Sequence, residues 1–215
     1  MNEYRYLTEL SERYPVLKQT ENDIKASYEI IREAYENGGK LLIAGNGGSC
    51  ADAEHIVGEL MKGFVKKRPV SKEMKEALIA ADPSRGERLA GRLQQGLAAI
   101  ALTGHPGLST AFLNDVDGEM IYAQQITGFG KQGDVFLGIT TSGNSENIMY
   151  AAVAARAKGM KALGLTGRDG GRLKGICDAA VVVPENETYK IQELHLPIYH
   201  VLCLMLEEHF FPSAR

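Results

Sequence analysis

The run Leu41-Leu42-Ile43-Ala44 breaks into Gly45-Asn46-Gly47-Gly48-Ser49 and then opens into a helical pattern, an order that constrains this chain more than any other. A short apolar run closed by glycines is a buried strand, since a buried helix needs about ten or more residues. Glycine lets backbone approach a ligand without a Cβ in the way, and the free N–H groups at a helix start favour negative charge. A strand, a glycine turn and a helix in this order make an anion site, and a phosphorylated small molecule is the first ligand it suggests.

The same order returns downstream. Asp134-Val135-Phe136-Leu137-Gly138-Ile139-Thr140 is an apolar strand running into Thr141-Ser142-Gly143-Asn144-Ser145, with a helix expected over about 146–158. Further strands are expected over 97–102, 161–166 and 179–184, with helices between them and a long one at the end. Strands alternating with helices predict an α/β fold, a mainly parallel five-stranded sheet covered on both faces, with ligands at the carboxyl ends of its strands. Both glycine-serine turns fall at such ends. Two helices are expected over about 3–38, ahead of the first strand. Residues of about 70–97 alternate Lys72, Glu73, Lys75, Glu76, Arg85, Glu87 and Arg88 with Met74, Leu78, Ile79 and Leu89, and break at Asp82-Pro83. They read as an exposed helical pair, lid or hairpin inserted into a single domain, 1–215.

Composition narrows the function classes. A net charge of −3 gives no general attraction to nucleic acid or to an anionic membrane. Cys50, Cys177 and Cys203 are odd in number and unpatterned, so neither a disulfide framework nor a Cys-type zinc site is suggested, and reduced thiols fit a cytoplasmic location. No run approaches the roughly 20 apolar residues of a membrane span, and the polar start (Glu3, Arg5, Glu9) gives no targeting signal. No GxxxxGK run followed by Ser or Thr occurs, which argues against a nucleoside-triphosphate loop. The hydroxyls of Thr140, Thr141, Ser142 and Ser145 instead offer a donor-rich cradle suited to a phosphate monoester.

His55 and Glu59, four residues apart, share one helical face, and Gln192, Glu193, His195 and His200 lie on the last helix. Two roles stay open for this set. Glu59 can act as general base on a carbon acid while His200 moves a proton to or from oxygen. Alternatively, His55, Glu59, Gln192 and His200 supply the four N and O ligands that suit zinc. By its spacing from Gln192 and His200, His195 faces elsewhere, and His209 is expected to be solvent-exposed.

Taken in order, Gly45-Asn46-Gly47-Gly48-Ser49, Asp52-Ala53-Glu54-His55 with Glu59, Asn114-Asp115, Gly133-Asp134-Val135, Thr141-Ser142-Gly143-Asn144-Ser145, Leu165-Thr166-Gly167-Arg168-Asp169-Gly170-Gly171 and Ile191-Gln192-Glu193-Leu194-His195 resemble the sugar isomerase (SIS) domain proteins of the phosphoheptose isomerase group. These motifs span nearly the whole chain apart from about 70–97. The resemblance implies a flavodoxin-like sheet and a homotetramer with active sites between subunits. It also implies a sugar phosphate held by Thr140, Thr141, Ser142 and Ser145 and by the first turn, Asn46, Gly47, Gly48 and Ser49, with Gln192 beside them. Glu59 and His200 match the residues that transfer protons through an enediol. Some members hold zinc with residues matching His55, Glu59, Gln192 and His200.

Three positions depart from the group. His105 stands where an Asp is usual, Tyr189 where an Asp is frequent, and Gly63 where an Arg commonly follows the catalytic Glu by four. Each bears on which sugar fills the site. The enzyme reading is therefore an aldose–ketose isomerase of a phosphorylated sugar. The alternative is a non-catalytic tetramer resembling the DnaA initiator-associating protein, with DnaA as its partner.

Overall fold

The computed structural model describes residues 3–212, so the outermost positions of the expected 1–215 domain lie outside the described residues. α1 (Arg5–Arg13), a 3-10 turn (Pro15–Thr20) and α2 (Glu21–Glu36) lead into β1 (Leu41–Gly45) and α3 (Gly48–Met61). α4 (Lys72–Ala81) and α5 (Pro83–Ala90) form the insert, and β2 (Ala99–Ala101), α6 (Pro106–Asp115) and α7 (Ile121–Phe129) follow. The chain continues through β3 (Val135–Ile139), α8 (Glu146–Ala157), β4 (Lys161–Thr166), α9 (Gly171–Lys174), β5 (Ala179–Val182) and α10 (Thr188–Phe210).

All neighbouring strands are parallel, in the order β2-β1-β3-β4-β5. This is the flavodoxin-like winding, whose strand order reverses between β1 and β3 and opens a crevice at their carboxyl ends. Alternate strand residues feed two cores, as the period-2 pleat requires. Leu41, Ile43, Val135, Leu137 and Ile139 pack with α2, α3 and α10, while Leu42, Ala44, Phe136 and Ala162 pack with α7 and α8. Burying each such Leu, Ile or Phe contributes roughly 1.5–3 kcal/mol.

The expected strand over 97–102 is paired only at Ala99–Ala101. It lies at the sheet edge, and its flanks bond singly, Leu97 N–H to the Leu60 carbonyl (2.9 Å) and Leu102 N–H to that of Ile43 (2.8 Å). The inserted pair forms as an exposed hairpin. Ser71 caps α4 through the Met74 N–H, and Asp82, at the break, caps α5 through the Arg85 N–H. His209 is not free in solvent, because its Nε2 sits 2.9 Å from Glu36 and its side chain is 29% exposed.

His195 is fully buried and its Nε2 donates to the Thr166 carbonyl at 3.2 Å, tying α10 to β4. Burial lowers its pKa to about 4. A lowered histidine pKa means that the unfolded chain binds more protons between pH 4 and 6.5, so stability falls as pH drops through that window. The expected loss is roughly 3 kcal/mol. Urea unfolding of His195→Gln should show this acid limb flattened relative to wild type.

Candidate functional site

β1 and β3 end side by side, so both glycine-serine turns meet at one crevice, around a cavity of about 310 Å³. Asn46, Gly47, Gly48 and Ser49 line it from the first turn and Thr140, Thr141 and Ser145 from the second. Thr188 and Gln192 close it from α10. The first turn is shaped by glycine at two positions. Gly47 has φ +57°, and a Cβ on Gly48 would lie 2.5 Å from Gln192 Nε2. α3, α8 and α10 all begin at this cavity, so three helix N-termini add their positive ends to its field.

The cradle is held in shape by its own bonds. Thr140 Oγ1 and Ser145 Oγ are 2.9 Å apart, and the amides of Asn46 and Asn147 pair reciprocally at 2.9 Å. Tyr122 donates to the Gly45 carbonyl at 2.9 Å, and burial holds this phenol protonated, its pKa pushed up to about 12. Ser142 is not part of the lining. Its hydroxyl accepts the Asn144 N–H at 3.2 Å and so stabilises the turn from outside the cavity.

α3 and α10 run side by side in the same direction. Gly48 meets Gln192 at one end, His55 meets Tyr199 and His200 further along, and Phe64 meets Glu207 beyond that. His55 and His200 rings lie edge to face with centroids 5.0 Å apart. Tyr199 donates to Asp52 Oδ1 at 3.2 Å, so its oxygen accepts from His55 Nδ1 at 3.0 Å. That leaves the His55 Nε2 lone pair facing Glu59 Oε1 at 3.3 Å, an approach favourable only with a proton between them. The second Glu59 oxygen meets Lys62 Nζ at 3.2 Å. His200 Nε2 is buried without a partner, and burial, followed by His55, lowers its pKa, so the ring is neutral at neutral pH.

The structure thus makes two groups of the expected residues. The anion-binding set gathers at the cradle with Gln192, whereas His55 and His200 lie about two helical turns and Glu59 about three turns along the α3–α10 groove. His200 lines a separate cavity of about 330 Å³ with Phe64, Leu196 and residues of α1. His195 points away from both, into the core. Thr188 was not singled out by sequence, since a lone threonine after a polar loop carries no signal until α10 starts at the crevice. For zinc the donor chemistry of His55, Glu59 and His200 is suitable, with an unpartnered imidazole nitrogen ready. Among the described residues, however, no three His, Cys, Asp or Glu side chains are grouped as a metal requires, and Gln192 sits at the cradle.

A profile of the SIS domain matches residues 5–94 and 87–167 of the chain. The phosphoheptose isomerase of Nitratiruptor is 41% identical over 181 residues, 84% of this chain and 83% of its own length. The chain belongs to the SIS domain family, in its phosphoheptose isomerase group. The phosphoheptose isomerase of Aneurinibacillus thermoaerophilus is 40% identical over 83% of the chain and 77% of its own length. Among solved structures, the phosphoheptose isomerase of Francisella tularensis superposes with a TM-score of 0.73 at 30% identity, covering 97% of this chain and all (100%) of that one. That of Neisseria gonorrhoeae gives 0.72 at 30% identity, covering 95% and 97% of the two chains.

The three positions where this SIS chain departs from its group have distinct surroundings. Gly63 makes a turn in which any Cβ would collide with the Lys66 carbonyl oxygen, and its N–H donates to Gln94 Oε1 at 2.9 Å. Gln94 lies just after the inserted hairpin, so the insert and the glycine accommodate each other and no long side chain fits there. His105 stacks on Phe129 with centroids 5.3 Å apart, and Tyr189 is exposed on the first turn of α10.

Proposed function

We propose that this chain is a phosphoheptose isomerase, interconverting a seven-carbon ketose phosphate with its aldose. The observation that carries this is the shared register of α3 and α10. It sets the anion cradle at one end of a groove, with His200 eight residues beyond Gln192, about 12 Å by helical rise, and Glu59 eleven beyond Gly48, about 16 Å. A heptulose 7-phosphate has its phosphate and its carbonyl at opposite ends, so an extended chain held at the cradle runs along the groove toward that pair.

With the phosphate held by the turn N–H groups and by Ser49, Thr140, Thr141 and Ser145, the Glu59 carboxylate takes a proton from the carbon beside the carbonyl. The released electron pair forms the C–C double bond, and the neutral His200 ring gives its N–H proton to the carbonyl oxygen, leaving an enediol and an imidazolate. His200 then takes the proton of the neighbouring hydroxyl while Glu59 returns its proton to the other carbon, which completes the exchange of aldose and ketose. His55, fixed by Tyr199 and Asp52, shares the proton that Glu59 carries. The relatives named above are isomerases, which favours this reading over DnaA binding. Incubation with C5 to C7 sugar phosphates should give the highest kcat/KM for a heptose. Absence of interconversion in every case, with DnaA retained in a pull-down, would replace the isomerase by the scaffold.

A homotetramer with its sites between subunits is part of the proposal. It is supported by the cavity beside His200, which is open, and by Leu196 at its edge, 42% exposed, as a packing face for a second copy. Light scattering of the purified protein tests it. Cytoplasmic location is supported by three cysteines without a disulfide and by the lack, among the described residues, of a helix long and apolar enough to cross a membrane. Zinc belongs to the proposal only as a ligand-driven rearrangement in which His55, Glu59, His200 and Gln192 close on the ion, and no proton transfer above depends on it. Metal analysis of protein purified without added zinc should then show one zinc per chain. Metal-free protein with full turnover removes zinc from the site.

A further inference from the structure

Among the described residues, Arg68 and Glu207 are the most deeply buried charges, each side chain 0% exposed, and neither side chain lines the cradle or touches the Glu59 or His200 side chain. Their bonds run to both helices that carry chemistry. Arg68 Nη1 donates to the Leu60 carbonyl at 2.9 Å and Nη2 to that of Glu59 at 3.3 Å, satisfying two acceptors in the last turn of α3. The same guanidinium binds Glu207 Oε1 through Nε and Nη2, both at 2.7 Å. Glu207 lies on α10 seven residues past His200. Its carboxylate also gathers three consecutive backbone N–H groups, Phe64 at 2.8 Å on Oε1, and Val65 at 2.9 Å and Lys66 at 3.2 Å on Oε2. The turn gathered in this way seats the Phe64 ring 5.4 Å from the His200 ring.

A buried ion pair is a poor choice for stability alone, since well-packed apolar residues of similar volume often serve as well or better. What the pair provides here is directional geometry: a planar fork fixed between the carbonyl of the residue bearing the base and the helix bearing the histidine.

We propose that Arg68 and Glu207 are a positioning pair for the isomerisation, setting the spacing of Glu59 and His200 through the Glu59 backbone carbonyl and the Phe64 ring. The inference rests on the isomerase reading above and extends it to residues that contact no substrate. Misplacement of a catalytic group by about 1 Å can cost on the order of 100-fold in rate.

The test is Arg68→Lys, which keeps the charge and loses the fork. The expected result is a kcat lowered roughly 10- to 100-fold, with KM and inorganic-phosphate affinity changed by less than about twofold. Ile126→Val, a buried core change on the opposite face of the sheet, supplies a destabilised control whose kcat stays at the wild-type value. A kcat for Arg68→Lys within about twofold of wild type, or a fall matched by the control, overturns the proposal. Should Arg68→Lys fail to fold, Phe64→Leu decides, because it leaves the ion pair in place and removes only the ring against His200; unchanged kcat there is equally fatal. If wild type turns over no sugar phosphate, the isomerase reading falls by itself. The spacing is then read from the His200 imidazole resonances, which must move in Arg68→Lys and whose constancy overturns the pairing.

Discussion

Glu59→Gln is expected to lower isomerase turnover by roughly 10²–10⁴-fold, the range lost when a positioned general base is removed. The substitution keeps shape and hydrogen-bonding capacity, and the Glu59 side chain is only 13% exposed, so the amide occupies the same slot between His55 and Lys62. What it removes is the ability to accept a proton from carbon. Because Glu59 is absent from the cradle lining, inorganic phosphate should bind the variant with unchanged affinity, measured by calorimetry. Unfolding should shift little, since the His55 contact is replaced by an amide N–H donated to the Nε2 lone pair. A variant that retains turnover would show that the carbon acid is deprotonated elsewhere. One that loses turnover and phosphate binding together would show that the cradle and the base are not separable, contrary to their placement along α3.

Much of this arrangement was legible from residue order because it rests on local rules. An apolar run followed by glycines marks a strand end, and two such ends in a parallel sheet must open on the same side, so the meeting of Ser49 with Thr140 and Ser145 follows from periodicity and chain direction. The inserted hairpin was equally legible, since Asp82-Pro83 both ends one helix and caps the next. What was not legible depends on lateral register between elements far apart in sequence. Spacing on α10 cannot say that Gln192 meets the first glycine turn while His200 meets His55, because that depends on how α10 slides along α3. The Arg68–Glu207 pair spans 139 residues and joins two charges that read individually as solvated surface. The Asp52–Tyr199–His55 chain was missed for the same reason. A tyrosine beside a histidine carries no signal until the facing helix supplies the carboxylate.

Gly143→Ala is the second large effect, and it tests the cradle rather than the base. Gly143 sits in the second turn with φ +66°, and a Cβ there would fall on the Gly170 carbonyl oxygen and lie 2.8 Å from the Gly171 nitrogen. All of these neighbours are backbone, so no side chain can swing aside. The left-handed conformation costs an alanine about 1–2 kcal/mol, and forced overpacking adds about 1–3 kcal/mol. At about 2–4 °C per kcal/mol for a domain of this size, Tm should fall by roughly 4–20 °C. The displacement also acts on function, because Gly143 is flanked by Thr141 and Ser145, and moving the turn away from the Gly170-Gly171 backbone withdraws their donors from the cavity. Losing one charge-assisted hydrogen bond to phosphate, worth about 1.5–3 kcal/mol, predicts a 10- to 100-fold weaker phosphate affinity at a temperature where the variant is still folded. A lowered Tm with undiminished phosphate binding would place the anion on the first turn and the helix ends alone, and would leave the hydroxyls of the second turn as structural caps.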